Sequence, residues 1–505
     1  MRKPPPNIVL ITTDQQHPNL LGCLNPELRT PHLDRLAAEG TLFTRAYCPN
    51  PTCTPTRASI ITGLYPSQHG AYSLGTTLSE RVPTLGGLLH DRGYATALVG
   101  KAHFQALAAT PAHPSLESYP ILQDLDFWRA YHGPFYGFEH VELARNHADE
   151  AHVGQHYALW MEQRGAHDWR RYFRPPTGTQ PQQHGGWNIP VDLHYNTWIA
   201  ERTNALLEQY GAANGPFFLW ASFFDPHPPY LVPAPYDTMY DPARVTVPGV
   251  TPGEHDRNPP HFQKTQEADP DFSRWTKDPR GNYCHGFHSH RRDRGQLARD
   301  IATYYGMMTF LDRAIGGILA RLETLGLAQD TLVVFTSDHG HLHGQHGMTA
   351  KGAFHYEDLV RVPFIVRWPG RVPAGRRSSA LQSLVDLAPG FLAAAGVPVP
   401  ETMAGVDQTP VWQGARPSAR DHVLVENRHQ PSSLQLHTYV DARYKLTAYR
   451  DETYGELFDL QEDPGELHNL WSEPAAQPLK LTLLQKLVTA EMTKEPLNMP
   501  RVSAA

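Results

Sequence analysis

"NIVLITTDQQ" (residues 7–16) sets a short run of aliphatic and β-branched side chains directly against an aspartate and two glutamines. A run of this length, bounded by polar residues, fits a strand covered on both faces. The same pattern returns in "TALVG" (96–100), "PFFLWASFF" (216–224), "TLVVFTS" (331–337) and "PFIVRW" (363–368). The first four runs lead into Asp14 and Gln15, Lys101 and His103, Asp225 and His227, and Asp338 and His339. Ligands of open α/β sheets sit beyond the carboxyl ends of the strands, so parallel strands would gather these polar groups along one edge. Helical patterns separate the runs. Residues 296–327 place Ile301, Tyr305, Met308, Leu311, Ile315, Leu319 and Leu322 at steps of three and four, as a helix with one face in the core requires. The expected fold is α/β: a large mixed, mostly parallel sheet sandwiched by helices, with a smaller C-terminal α+β subdomain.

At 505 residues the chain has room for one large domain and a smaller one. Residues 1–6 read as a tail and 7–414 as the large domain, interrupted near 105–190 and 228–295 by irregular stretches rich in Pro, His and aromatics. Long irregular segments in compact domains commonly carry function, and these are expected to wall the site and set specificity. Residues 415–505 change texture, with short alternating runs ("HVLVEN", "RYKLTAYRD") and a last helical pattern near "LKLTLLQKLVTAEM". No internal repeat is visible.

Hydrophobic content of 40% with mean hydropathy −0.47 reads as a soluble globular chain. Lys+Arg 44 against Asp+Glu 51 gives a net charge of −7, so the bulk charge recruits neither nucleic acid nor an anionic membrane. An anionic substrate would have to be drawn by local charge. The apolar run 8–11 is too short for a signal-peptide core, and no later stretch approaches a bilayer span, so the chain reads as cytoplasmic with no membrane partner. The sequence leaves a homo-oligomer open.

The four cysteines (Cys23, Cys48, Cys53, Cys284) form no CxxC pair and no zinc-finger spacing. Cys53 lies in "NPTCTPTRAS" (50–59), followed by Pro55 and Arg57. Proline suits a first helical turn and "RASIITG" continues as a helix, which puts position 53 at a helix N-terminus, where the dipole favours an anionic nucleophile or a bound oxyanion. An inert buried thiol is the plain alternative. Here the chain resembles the formylglycine-dependent type I sulfatases of the alkaline phosphatase superfamily, whose Cys-x-Pro-x-Arg signature is met by "CTPTR". The resemblance implies an alkaline phosphatase-like fold and maturation of Cys53 to 3-oxoalanine (formylglycine) by a formylglycine-generating enzyme. It further implies that Arg57 holds the modified residue, whose hydrate attacks the sulfur of a small-molecule sulfate ester.

Asp14, Gln15, Asp338 and His339, with the modified position 53, offer oxygen ligands and one imidazole, a set suited to a hard or borderline divalent cation. The family has Asp-Asp where this chain has Asp14-Gln15; the loss of a carboxylate leaves calcium ahead of manganese without deciding between them. Turn residues or helix caps are the ordinary alternative for the two aspartates. "VGKAHF" looks like the family's Gly-Lys-x-His element, so Lys101 and His103 would contact the modified residue and the sulfate oxygens. His227 in "FFDPHPPY" matches the histidine facing the ester oxygen, and Lys351 matches the lysine beyond Asp-His. As the S–O bond breaks, the leaving oxygen gains negative charge, which cations and a proton donor can meet. The implied activity is metal-dependent sulfate ester hydrolysis, arylsulfatase-like. Two alternatives stand beside it: a phosphonate monoester hydrolase or phosphodiesterase of the same superfamily, which the Asp-Gln pair suggests, and an unmodified, silent anion-binding homologue. His341, His343 and His346, and "CHGFHSHRR" (284–292), receive no metal role.

Overall fold

The computed structural model describes residues 5–145, 152–174, 184–276 and 285–495. Residues 1–4 of the expected tail, parts of both irregular stretches, Cys284 and the last ten residues lie outside the described residues. Among the described residues, eight strands form the main sheet. They are β1 (Asn7–Thr13), β2 (Thr41–Phe43), β3 (Ala95–Gly100), β4 (His140–Leu143), β5 (Phe217–Ser222), β6 (Thr331–Ser337), β7 (Phe364–Arg367) and β8 (Arg376–Ser378). Their spatial order is β8-β2-β7-β6-β1-β5-β3-β4.

The five strands β6, β1, β5, β3 and β4 run parallel. The run 363–368, grouped above with the parallel strands, instead enters antiparallel to β6 as β7. Residues 338–363 hold only loops, two-residue strands and two short helical turns, Gln345–Gly347 and Glu357–Val360. Without a full crossover to carry the chain back to the far edge, it re-enters the sheet from the edge at which it left.

Side chains alternate between two cores. Val9, Ile11, Val99, Leu219, Ala221, Val333 and Phe335 face one, while Ile8, Leu10, Leu98, Phe218, Trp220, Leu332 and Val334 face the other. Burial on both faces explains why the strands read as continuous apolar runs. Each fully buried aliphatic side chain contributes roughly 1.5–3 kcal/mol. Helices α1 (Cys53–Thr62), α2 (Tyr195–Ala213) and α3 (Arg294–Thr324) cover the sheet, with α2 and α3 on one core and α1 on the other. All seven apolar positions named in 296–327 are buried in α3, and Asp293 caps its start by accepting from Gln296 N at 2.9 Å.

Strands Val423–Asn427, Leu436–Val440, Tyr444–Tyr449 and Gly455–Asp459 form a separate antiparallel meander against which α4 (Gln477–Thr493) packs. This sheet is tied to the segment before Cys53: Glu426 N donates to Pro49 O (2.8 Å) and Asn50 Nδ2 to Glu426 O (2.7 Å). No helix among the described residues is long and apolar enough to cross a membrane.

Candidate active site

The parallel register places the strand exits side by side. Thr13 pairs with Ser337, so Asp14 and Asp338 leave β1 and β6 as neighbours. On the other side, Gly100 pairs with Ser222, and Lys101 N donates to Ser222 O at 3.0 Å. Gly100 has φ +105°, and a Cβ there would lie 1.9 Å from Ser222 O, so the approach that delivers Lys101 requires glycine. Helix α1 starts at Cys53, with extended Thr52 before it and left-handed Gly63 closing it. Position 53 therefore sits at a helix N-terminus under the strand exits.

Four candidate ligand atoms, from Asp14, Cys53, Asp338 and His339, lie within 4.8 Å of one another, and all four residues are buried. Cys53 Sγ is 3.4 Å from Asp14 Oδ1 and 3.3 Å from His339 Nε2. His339 Nδ1 faces Gly340 O at 2.9 Å. A carbonyl only accepts, so the proton is on Nδ1 and the Nε2 lone pair faces the cluster, as a metal ligand must. Burial lowers the His339 pKa to about 4, which keeps the ring neutral. Gln15 sits at φ 59°, its N donating to Asp338 Oδ1 (3.0 Å) and its Nε2 meeting His341 Nδ1 (2.8 Å). Its Oε1 is buried without a partner, an unmet acceptor of the kind a cation satisfies. The donor set thus fits a divalent cation.

Two cations pair with the two carboxylates and a third faces Cys53. Arg57 Nε donates to Asp338 Oδ2 at 2.9 Å, and its Nη1 to Lys101 O (2.9 Å) and Ser222 Oγ (2.7 Å). Lys101 Nζ is paired with Asp14. Lys351 Nζ lies 3.2 Å from Cys53 Sγ, 3.3 Å from His339 Nε2 and 3.5 Å from His227 Nε2. Burial raises the Asp14 pKa, but Lys101 foremost, then His227, Arg57 and Lys351, hold it well below the usual carboxylate range. Burial and then Asp14 push the Cys53 thiol up, against Lys101 and Lys351, so an unmodified Cys53 stays protonated and is a poor nucleophile. Burial would lower the Lys351 pKa; Cys53, Asp14 and Asp338 raise it overall, so it remains an ammonium.

His103 is buried at φ 61° with both ring nitrogens unpartnered, and burial, with Lys101 and Arg145 adding, keeps it neutral. His227 Nδ1 meets Pro228 O at 2.5 Å, so it carries its proton there and presents Nε2 to Lys351. The structure thus gathers Asp14, Cys53, Asp338, His339, Lys351 and His227 around one point, with Lys101 and Arg57 bracing the carboxylates. Gln15 reaches the cluster through its backbone N, which donates to Asp338, and its unpartnered side-chain Oε1 is the atom a cation would take.

Three supporting residues have no site role in the sequence reading. Glu117 accepts from three successive backbone amides, His103 N (2.6 Å), Phe104 N (2.8 Å) and Gln105 N (2.8 Å), and so fixes the turn that presents His103. Ser222 Oγ bridges Arg57 to Lys101 O. Asp225, whose carbonyl accepts from Asp14 N (3.2 Å), turns its carboxyl inward to Tyr195 OH and Asn196 Nδ2 (2.6 Å). Only Asp225 carried a signal, its place at a strand end.

Comparison with known proteins agrees with this geometry. The family profile described as Sulfatase matches residues 6–397, and that described as N-sulphoglucosamine sulphohydrolase, C-terminal, matches residues 344–493. A multifunctional alkaline phosphatase superfamily protein of Trinickia caryophylli is 28% identical, with 96% of this chain and 94% of that protein covered. An arylsulfatase of Clostridium perfringens (strain 13 / Type A) is 26% identical with the same coverages. Among solved structures, a phosphonate monoester hydrolase from Silicibacter pomeroyi superimposes with TM-score 0.79 at 25% identity, covering 97% of this chain and 96% of that one.

Proposed function

The chain belongs to the sulfatase family and is a sulfuric ester hydrolase; from that premise we propose that it works through 3-oxoalanine at position 53 and one divalent cation, calcium ahead of manganese. The observation that carries this reading is the convergence of Asp14, Cys53, Asp338 and His339 within 4.8 Å beneath three cationic side chains. Asp14, Gln15, Asp338 and His339 would hold the cation. When present, the cation polarises the sulfate oxygens and the hydrated 3-oxoalanine supplies the attacking hydroxyl.

The remaining chemistry belongs to the chain's own side chains. Arg57 neutralises Asp338 and ties it to the Lys101 carbonyl, which keeps two strand exits in register. Lys101, Lys351 and neutral His103 meet the sulfate oxygens as charge builds on them, in a site dry enough to make each contact count. His227 has committed Nδ1 to a carbonyl, so it can protonate the leaving oxygen only as an imidazolium donating from Nε2. Lys351, 3.5 Å away, is placed to return that proton. A positioned acid of this kind is worth about 10² to 10⁴-fold in rate.

The test uses protein made alongside a formylglycine-generating enzyme. Mass spectrometry of the peptide bearing position 53 should show the aldehyde or its hydrate, and inorganic sulfate should be released from 4-nitrophenyl sulfate. Cys53→Ala should fold normally and release none. Aldehyde-bearing protein without turnover, or full turnover by Cys53→Ala, would refute the reading. A thiol at position 53 in protein from its own host, with no turnover, would favour the silent anion-binding homologue.

A second reading, phosphonate monoester hydrolysis at the same site, is supported by Gln15 in place of a carboxylate and by the likeness to the Silicibacter pomeroyi enzyme. A phosphonate monoester is a monoanion like a sulfate ester, so the same three cations would receive it. Lys101 and His103 favour the sulfate ester. Parallel rates on 4-nitrophenyl sulfate and 4-nitrophenyl phenylphosphonate decide the order, and a large excess on the phosphonate would reverse it.

A further inference from the structure

We propose that His341 is a positioning residue for the cation site: its ring decides which end of the Gln15 carboxamide faces the ion. This rests on the reading of Gln15 as one of the cation's ligands. The backbone of Gln15 is already held on both sides. Its N donates to Asp338 Oδ1 at 3.0 Å and its carbonyl accepts from Tyr304 OH at 2.8 Å, while Tyr304 OH accepts in turn from His17 N at 3.2 Å. These bonds leave the amide itself open. A carboxamide has nearly the same outline either way round, yet one end is an oxygen acceptor and the other an NH₂ donor. Only the oxygen can serve a cation; the reversed amide would turn N–H groups towards it.

Gln15 Nε2 lies 2.8 Å from His341 Nδ1, and His341 Nε2 lies 2.7 Å from Tyr230 OH. His341 is buried, and burial keeps its ring neutral, with one donor nitrogen and one acceptor. With Nδ1 as the acceptor, the ring takes the Gln15 NH₂ and turns Oε1 away from itself. That oxygen is the buried acceptor without a partner, the end left for the cation. The ring proton then sits on Nε2 and is donated to Tyr230 OH. Both nitrogens are engaged, so His341 acts through Gln15 and is not itself a ligand.

The ring is fixed in place from several sides. His341 N donates to Asp358 O at 3.0 Å, and the ring packs against Tyr304 and His343 with centroids 5.3 and 5.1 Å apart. The need for such a partner is peculiar to an amide. A carboxylate presents oxygen whichever way it is turned, so glutamate at position 15 would require no orienting group. His341 would tolerate it by moving its proton to Nδ1, because the Tyr230 hydroxyl can donate to Nε2 as readily as it accepts.

The decisive measurement is a double-mutant cycle on cation affinity, read by calorimetric titration of the metal-free full chain with calcium, or with manganese where calcium does not bind, and with no ester present. In the wild-type background His341→Phe keeps a ring in the space but removes both nitrogens, and should weaken binding about 10- to 100-fold, as loss of a ligand's outer partner commonly does. In the Gln15→Glu background the same substitution should weaken binding by less than about threefold, the scale of uncoupled sites. His341→Leu takes the place of His341→Phe where thermal unfolding shows that the larger ring is not accommodated. Equal losses in the two backgrounds, or no loss in the wild-type one, overturns the positioning role while leaving the cation reading intact. A wild-type chain that binds neither ion overturns that reading and this inference with it. A loss confined to the Gln15 background supports the role even where mature enzyme releases no sulfate.

Discussion

The Glu117 carboxylate offers the sharpest test of how the candidate site is held. It is buried and accepts three consecutive amides, two at Oε2 and one at Oε1. In Glu117→Gln the amide oxygen can serve Phe104 N and Gln105 N, but the new NH₂ then opposes the amide of His103. One buried donor is left unmet at about 1–3 kcal/mol, and the other two bonds lose their charge assistance. The sum is about 2–4 kcal/mol. Part of it is recovered because burying the carboxylate was itself unfavourable, as its raised pKa reports.

The sign of the pH dependence follows from that shift. An acid whose folded pKa lies above its unfolded value binds more protons in the native state, so wild-type stability falls as pH rises above the ordinary glutamate value of 4.5. Glu117→Gln should be free of that slope. Because His103 stands in the left-handed region, loss of the clamp lets its backbone relax and withdraws its ring from the oxyanion. Urea unfolding should show the destabilisation, and kcat/KM on 4-nitrophenyl sulfate should fall about 10- to 100-fold, as loss of one positioned donor commonly costs. Unchanged kcat/KM in a variant destabilised by the full amount would show that Glu117 serves the fold and does not position His103.

Three further outcomes are expected. His227→Ala should lose more rate on alkyl sulfates than on 4-nitrophenyl sulfate, since an activated leaving group needs little protonation; equal losses would remove His227 from the acid role. Removing divalent ions with a chelator and restoring calcium or manganese should raise the melting temperature, with about 2.7 kcal/mol gained at a hundredfold excess over Kd; no shift with either ion would argue against the Asp14, Gln15, Asp338 and His339 set. Burial pushes the Asp312 carboxyl, which accepts from His32 N (3.1 Å) and Leu33 N (2.8 Å), up to about 7. Between pH 4 and 7 the wild type should therefore lose stability relative to Asp312→Asn by up to about 1.4 kcal/mol per pH unit, and parallel urea titrations that show no divergence would contradict this.

What the sequence disclosed follows from what a strand displays. A strand buried on both faces is a continuous apolar run, so its end is marked by the first polar residue, and Asp14, Lys101, Asp225 and Asp338 were visible for that reason. Cys53 was marked by spacing within one helical turn. Lys351 lies in a loop past β6, where no periodicity applies, and was reachable only through family resemblance. The direction of β7 was hidden because an apolar run looks the same in either sense. Glu117 was hidden because a residue that clamps a turn fourteen positions upstream leaves no local pattern. Asp225 was seen, but its spacing could not say that the carboxyl turns inward to Tyr195 and Asn196 while only its carbonyl reaches Asp14.

The exits of β6, β1, β5 and β3 stand next to one another, and strands in a sheet are ~4.8 Å apart. That spacing comes from backbone pairing, so mutation elsewhere can hardly rescale it. The long loops and the start of α3 lie outside that ladder. Drift in those parts can redirect the enzyme to new esters while the bond-breaking apparatus keeps its dimensions, a division of labour in which one half is locked and the other is free to wander.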